Sequence, residues 1–323
     1  MNQGNAKRIA MIGAGLMGHS IGQTFAQAGS EVILYDLSKE ILEQSIQRIE
    51  KNLQELADWG LILRKEIEST LNRLQITTVI EEAAADADLV VEVVLEDLEL
   101  KQRIFQQLDN ICPERTILTS NASGLMPSQY ASVTNRPDRV VGTHYFYPPH
   151  LIPLVEIARG ELTSDATVET VYELLKATGK SPVIVQKEAP GLIANRLQGA
   201  LFREALYIVQ RGIATPQDVD IAVKTSFGRR LAFAGPFEMM EVQGDYEVML
   251  KIYSRMVSDL SSSTEPPPVL IDKVKRGELG AKTGKGFYEW TPESLEGWKK
   301  ELTEFLAKFL RGSTEQEQGM KEG

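Results

Sequence analysis

Residues 8–36 read RIAMIGAGLMGHSIGQTFAQAGSEVILYD, and this stretch decides the fold. A short apolar run, Ile9 to Ile12, leads straight into Gly13-Ala14-Gly15-Leu16-Met17-Gly18. A helical pattern follows and breaks at Gly29, and a second β-like run, EVILY, ends on Asp36. Glycines at this spacing, after a strand, opening a helix and followed by an acid about 20 residues on, form a dinucleotide fingerprint. Gly13 allows the tight turn, Gly15 lets backbone approach a pyrophosphate, and Gly18 lets helix and strand pack closely. The phosphates would rest on the N–H groups at the helix start. Asp36 would accept hydrogen bonds from ribose hydroxyls and repel a 2′-phosphate, which favours NAD over NADP.

Beyond Asp36, Ser38 is a candidate N-cap for a long helix, SKEILEQSIQRIEKNLQELADWG, stopped by Gly60. A second helix from about Lys65 to Leu74 completes a helical hairpin over about residues 38–75, longer than a plain crossover requires. Its mixed charges read as salt-bridged surface; a lid over a substrate tail is the functional alternative. DLVVEVV is a buried-strand pattern, LELKQRIFQQLD an amphipathic helix, and TILTS, RVVGTHYF, LVEI and PVIVQK are further strands. A helix from about Asp165 to Thr178, with Gly179 after it, precedes the last of these. Strands alternating with helices predict an α/β Rossmann-type, doubly wound and largely parallel sheet over residues 1–187.

After residue 187 no β-pattern remains. Pro190-Gly191 opens a helix apolar on most of its circumference, and Thr215-Pro216-Gln217-Asp218 is a capped helix start. Residues 188–323 are therefore expected to form an all-α substrate and dimerisation domain with an amphipathic C-terminal tail. A helix hydrophobic all round is expected to be buried on several sides, against another copy among them, which predicts a homodimer.

The 323 residues are 42% hydrophobic and 25% charged, ordinary for a globular chain of two domains. A formal charge of −10 argues against nucleic acid or an anionic membrane surface as general partners. Cys112 is the single cysteine, so no internal disulfide or cysteine cage is possible, and no metal site is expected. No apolar run approaches the roughly 18 residues of a membrane span, and none of signal-peptide length precedes the first strand. The expectation is a soluble, cytoplasmic protein.

Oxidation of an alcohol by hydride transfer requires a base for the hydroxyl proton, and histidine suits neutral pH. Of three histidines, His19 lies in the first turn of the dinucleotide helix, and His150 follows two prolines in a loop expected to face solvent. His144 sits on VVGTHYF, near the carboxyl ends of the strands, where open α/β sheets bind ligands. Glu156, on the next extended run, is placed to orient the imidazole and to favour the imidazolium. Ser120 and Ser123 at the end of another strand are candidates for bonding the reacting oxygen, and Asn195 could reach the same place.

These motifs, in order, resemble the NAD-dependent L-3-hydroxyacyl-CoA dehydrogenase family, including its lambda-crystallin/L-gulonate 3-dehydrogenase branch. The similarity runs through GAGLMG, ADLVVEVVLEDLELKQRIF, TSNASGLMPS, HYFYPPHLIPLVEI, PGLIANRL, AGPFEMM and KTGKGFY, over about residues 7–290. The resemblance implies His144 as catalytic base and acid, Glu156 as its partner, and Ser120 and Asn195 as holders of the substrate oxygen. It further implies cofactor contacts from Asp36, Glu96, Lys101 and Lys282, and a setting in fatty acid metabolism. The implied reaction interconverts an L-3-hydroxyacyl-CoA and the 3-ketoacyl-CoA with NAD. Two departures bear on the substrate. Tyr147 replaces the family's asparagine after H-F-F, and the hairpin lacks a lysine-rich cluster for the CoA phosphates. A dehydrogenase of a free 3-hydroxy acid, such as L-gulonate or L-carnitine, is thus an alternative, and an NAD-binding crystallin-like protein without turnover is another. A 3-hydroxyisobutyrate-type reading requires a lysine on the inter-domain helix, where only Lys187, ahead of it, is available.

Overall fold

The computed structural model describes residues 7–242 and 246–321. It divides into two compact units, Met1–Ile193 with Lys300–Gly323, and Ala194–Lys299.

The first unit begins with β1 (Arg8–Ile12), α1 (Gly18–Gln27) and β2 (Glu31–Tyr35), as the fingerprint requires. The hairpin helices α2 (Lys39–Asp58) and α3 (Lys65–Leu71) lead to β3 (Leu74–Thr77), α4 (Ile80–Ala84), β4 (Leu89–Glu92) and α5 (Leu98–Ile111). Then come β5 (Ile117–Ser120), α6 (Pro127–Ala131), β6 (Val140–Tyr145), β7 (Leu154–Arg159), α7 (Asp165–Ala177) and β8 (Ser181–Val185). The eight strands form one sheet in the order β3-β2-β1-β4-β5-β6-β7-β8. Every pairing is parallel except β6 with β7.

Strand periodicity explains the two layers of helices. Ile9 and Met11 of β1 enter one apolar cluster with Phe25 of α1 and Ile49 and Leu53 of α2. Ala10 and Ile12 point the other way, into a cluster with Phe105 and Leu108 of α5. A sheet buried on both faces needs continuous apolar strands, which is the composition these strands have.

The hairpin is anchored rather than a free excursion. Leu42, Ile49, Leu53 and Leu56 of α2 are buried, and Asn52 Nδ2 donates to Gln23 Oε1 of α1 at 2.9 Å. Its outer face carries the expected ion pairs, Lys39–Glu43, Lys51–Glu55 and Arg64–Asp58. Ser38 caps α2 by accepting from Ile41 N–H.

The second unit holds α8 (Ala194–Gln210), α9 (Pro216–Thr225), α10 (Phe227–Leu231), α11 (Pro236–Val242), α12 (Tyr246–Met256) and α13 (Pro268–Lys275). Thr215 caps α9 as expected, accepting from Asp218 N–H. Within the single chain the apolar α8 does not find the enclosure expected of it. None of its residues is buried, and Leu197, Leu201 and Phe202 are exposed. The tail also departs from expectation. The helix α14 (Pro292–Lys321) starts with the second unit, but its residues from Lys300 on belong to the first. Ala307 is buried, and Leu310 lines a cleft with Leu56, Leu61 and Ile62 of the hairpin. Among the described residues no helix is long and apolar enough to cross a membrane.

Candidate active site

The glycine loop has the geometry its spacing requires. Gly13 sits at φ +106°, and a Cβ there would lie 2.9 Å from Val93 O. A Cβ on Gly18 would lie 1.9 Å from Gly13 O, so only glycine fits the close helix–strand approach. A Cβ on Gly15 meets nothing within 4 Å; this is the open side, where a diphosphate needs room. Leu16 is exposed and Met17 packs against the core. Asp36, at the end of β2, accepts from Ala14 N–H (3.0 Å) and Ser38 N–H (3.2 Å), which fixes its carboxylate beside the loop. A carboxylate accepts about four hydrogen bonds, so two ribose hydroxyls can still be taken. The residues present therefore fit a dinucleotide.

His144 and Glu156 stand directly opposite each other on the antiparallel pair β6–β7. His144 Nδ1 lies 2.8 Å from Glu156 Oε2, and the carboxylate is fully buried. A buried carboxylate strongly favours the tautomer with its proton on Nδ1. The free Nε2 then lies 3.1 Å from Ser123 Oγ. Phe146 packs edge-on against the imidazole at 4.6 Å between centroids. The other oxygen of Glu156, Oε1, accepts from Ile193 N–H at 2.8 Å.

Ser120 is placed differently from Ser123. Its hydroxyl donates to Glu92 Oε2 at 2.6 Å, and Glu92 holds Lys101 Nζ at 2.8 Å from both oxygens. All three side chains are buried, and the Ser120 hydroxyl is engaged by Glu92 and Lys101. Lys101, with its ammonium on Glu92, braces the β4–β5 floor. Glu96 Oε1 gathers the N–H groups of Ser123, Gly124 and Leu125 at 3.0, 2.7 and 3.1 Å, and so shapes the turn that turns Ser123 toward His144. Asn121 Oδ1 accepts from Tyr145 N–H at 2.8 Å and ties that turn to the end of β6.

The remaining expected residues divide between the two units. Asn195 lies in the first turn of α8, in the second unit, and Lys282 is exposed in the glycine-rich loop before α14. Tyr147 is largely exposed. His19 bonds Gly15 O through Nδ1 at 2.7 Å, and burial holds its pKa below the usual value. His150 corrects the expectation of a solvent-facing side chain. Its Nδ1 lies 2.9 Å from Ser20 Oγ, and burial lowers its pKa to about 4. The loop that carries it is pinned by Lys180, whose buried ammonium donates to Pro149 O and to Ile152 O. Glu92 and the Ile193 amide were not singled out by the sequence. An acid inside the apolar run DLVVEVV, which demands a buried partner, was the available signal for Glu92.

Both parts of the chain are similar to known proteins. Residues 8–189 match the 3-hydroxyacyl-CoA dehydrogenase NAD binding domain, and residues 191–290 match the C-terminal domain of the same family. The chain is 38% identical to a probable 3-hydroxybutyryl-CoA dehydrogenase of Bacillus subtilis, over 88% of this chain and 97% of that one. It is 31% identical to 5-formyl-3-hydroxy-2-methylpyridine 4-carboxylate 5-dehydrogenase of Mesorhizobium japonicum, over 94% and 97%. A crystal structure of a dehydrogenase with this pyridine carboxylate activity superposes with a TM-score of 0.88, at 31% identity, covering 95% of this chain and 98% of the other. The (S)-3-hydroxybutyryl-CoA dehydrogenase from Ralstonia eutropha superposes at 0.74, at 31% identity, covering 88% and 100%. The chain belongs to the 3-hydroxyacyl-CoA dehydrogenase family. It is an NAD-dependent dehydrogenase that acts on a CH–OH group.

Proposed function

We propose that this enzyme interconverts an L-3-hydroxyacyl-CoA and its 3-ketoacyl-CoA, with His144 as general base and acid. The observation that carries the proposal is the buried imidazole held between Glu156 on Nδ1 and Ser123 on Nε2. Nε2 accepts the substrate hydroxyl proton as the C–H bond gives up its hydride, and Glu156 stabilises the imidazolium that results. Ser123, within hydrogen-bond reach of Nε2, orients the same substrate oxygen. Asn195 is assigned by resemblance to hold that oxygen too. NAD, when bound, supplies the hydride acceptor. Gly13, Ala14, Gly15, Leu16, Met17 and Gly18 cradle its diphosphate, and Asp36 takes the adenosine ribose.

A second reading has its own observation: the better and longer superposition on the pyridine carboxylate dehydrogenase. On that reading the substrate is a free acid and no CoA is involved. The deciding experiment is an NADH-production assay with 3-hydroxybutyryl-CoA, longer 3-hydroxyacyl-CoAs, free 3-hydroxybutyrate, L-gulonate and L-carnitine. Turnover of thioesters is expected. Turnover of free acids alone would select the second reading, and NAD binding without any turnover would point to a structural role.

We also propose a homodimer built on the second unit, whose helices α8 to α13 contain no buried residue. Light scattering on the purified chain is expected to give twice the chain mass.

A further inference from the structure

Among the described residues, Leu192 alone combines a side chain with a left-handed backbone, at φ 50°. It follows Gly191, itself at φ 77°, so two left-handed residues stand in succession just ahead of α8. A residue with a Cβ resists this conformation, and its persistence means that the surroundings impose it. Those surroundings are specific. The Leu192 side chain is buried in a small cluster with Ala158 and Val185, which are paired across β7 and β8. Ala158 lies two residues after Glu156 on β7 and so shares its face of the sheet. The amide after Leu192, Ile193 N–H, donates to Glu156 Oε1 at 2.8 Å, while Oε2 of the same carboxylate meets His144 Nδ1. One turn thus binds the β7 face twice, by a side chain on Ala158 and by an amide on Glu156.

We propose that Leu192 is a positioning residue for the proton-transfer pair: its left-handed backbone, anchored by its buried side chain, aims the Ile193 amide at Glu156 and so fixes which carboxylate oxygen His144 meets. A carboxylate held by fewer fixed donors can turn its oxygens away from Nδ1, and the imidazole would then lose the acceptor that selects its tautomer. The assignment rests on the reading of His144 as the base, and Leu192 touches neither substrate nor cofactor in it.

The test compares Leu192→Val with Leu192→Gly in the full-length protein. Valine stays apolar, but its β-branch opposes the left-handed conformation; glycine accepts that conformation and leaves a cavity. Nitrogen-15 NMR of the imidazole rings, assigned with single His→Gln variants, reads the tautomer of His144 without any substrate. The wild type and Leu192→Gly are expected to hold one tautomer protonated on Nδ1, with a lower Tm in the glycine variant. Leu192→Val is expected to show mixed tautomers. With acetoacetyl-CoA and NADH, the valine variant is expected to lose roughly 10- to 100-fold in kcat with KM little changed. A single tautomer retained in Leu192→Val, or equal disturbance in both variants, overturns the proposal. Absence of acetoacetyl-CoA turnover in the wild type would count against the thioester reading while the NMR comparison still decides the role of Leu192.

Discussion

Two carboxylates lie fully buried in the sheet, Glu92 at the end of β4 and Glu156 within β7, and their partners differ. Glu92 on β4 is bound to the Lys101 ammonium and to the Ser120 hydroxyl. Glu156 on β7 is bound to the His144 imidazole and to a backbone amide. Both satisfy the requirement that a buried charge be paired. The partner sets the role we propose for each: an ammonium makes a brace, and an imidazole makes a place where a proton can be taken and returned. The turn over Ser120–Ser123 connects them, with Ser120 facing the brace and Ser123 the imidazole.

The sharpest way to break this contrast is His144→Gln. It is expected to lower kcat by about 10²–10⁴, with NAD affinity measured by fluorescence titration unchanged. Activity equal to the wild type would remove His144 from the mechanism and leave Glu156 a second brace. Next, Lys101→Met strands the Glu92 charge in the interior. A loss of roughly 3–5 kcal/mol in urea unfolding is expected, and Glu92→Leu added to it should restore much of that. No loss would mean that the pair is not the brace its burial indicates.

Smaller effects separate the two serines. Ser120→Ala leaves Glu92 short of one donor and should cost about 1–3 kcal/mol of stability. Ser123→Ala should leave unfolding nearly unchanged and lower kcat by about tenfold, and the opposite pattern would reverse the roles given to the two hydroxyls.

An effect that appears only on acidification concerns His150, kept neutral by burial without any carboxylate. Its pKa is about 4 when folded and about 6.5 when unfolded, so the unfolded chain binds the proton first as pH falls. Its contribution is complete above about pH 6.5 and disappears toward pH 4, by up to about 3 kcal/mol. Urea midpoints of wild type and His150→Asn between pH 7 and 4.5 are expected to converge as the pH falls. Parallel curves would show that His150 is already open to protonation in the folded chain.

Much of the fold was legible in one dimension because its signals are local. The glycine loop, the caps at Ser38 and Thr215, and the β-branched strands act within a few residues of themselves. The His144–Glu156 pairing was also within reach, since two successive strands carry the two residues. The choice between Ser120 and Ser123 was not. It depends on Glu96, which collects three amides 27 to 29 residues away. His150 was misplaced because its partner, Ser20, lies 130 residues earlier. The left-handed Leu192 carries no mark in the sequence, because leucine is a residue that local preference would never put there.

The order of residues by itself determined a dinucleotide loop, a two-faced parallel sheet, a helical second region and a histidine with an acid on the neighbouring strand. Only the tertiary structure decided which serine faces the imidazole, which acid is locked by lysine, and where the tail packs. Periodicity, capping and turn preference are properties of neighbours along the chain, whereas the pairing of buried charges depends on which side chains the finished fold removes from water together.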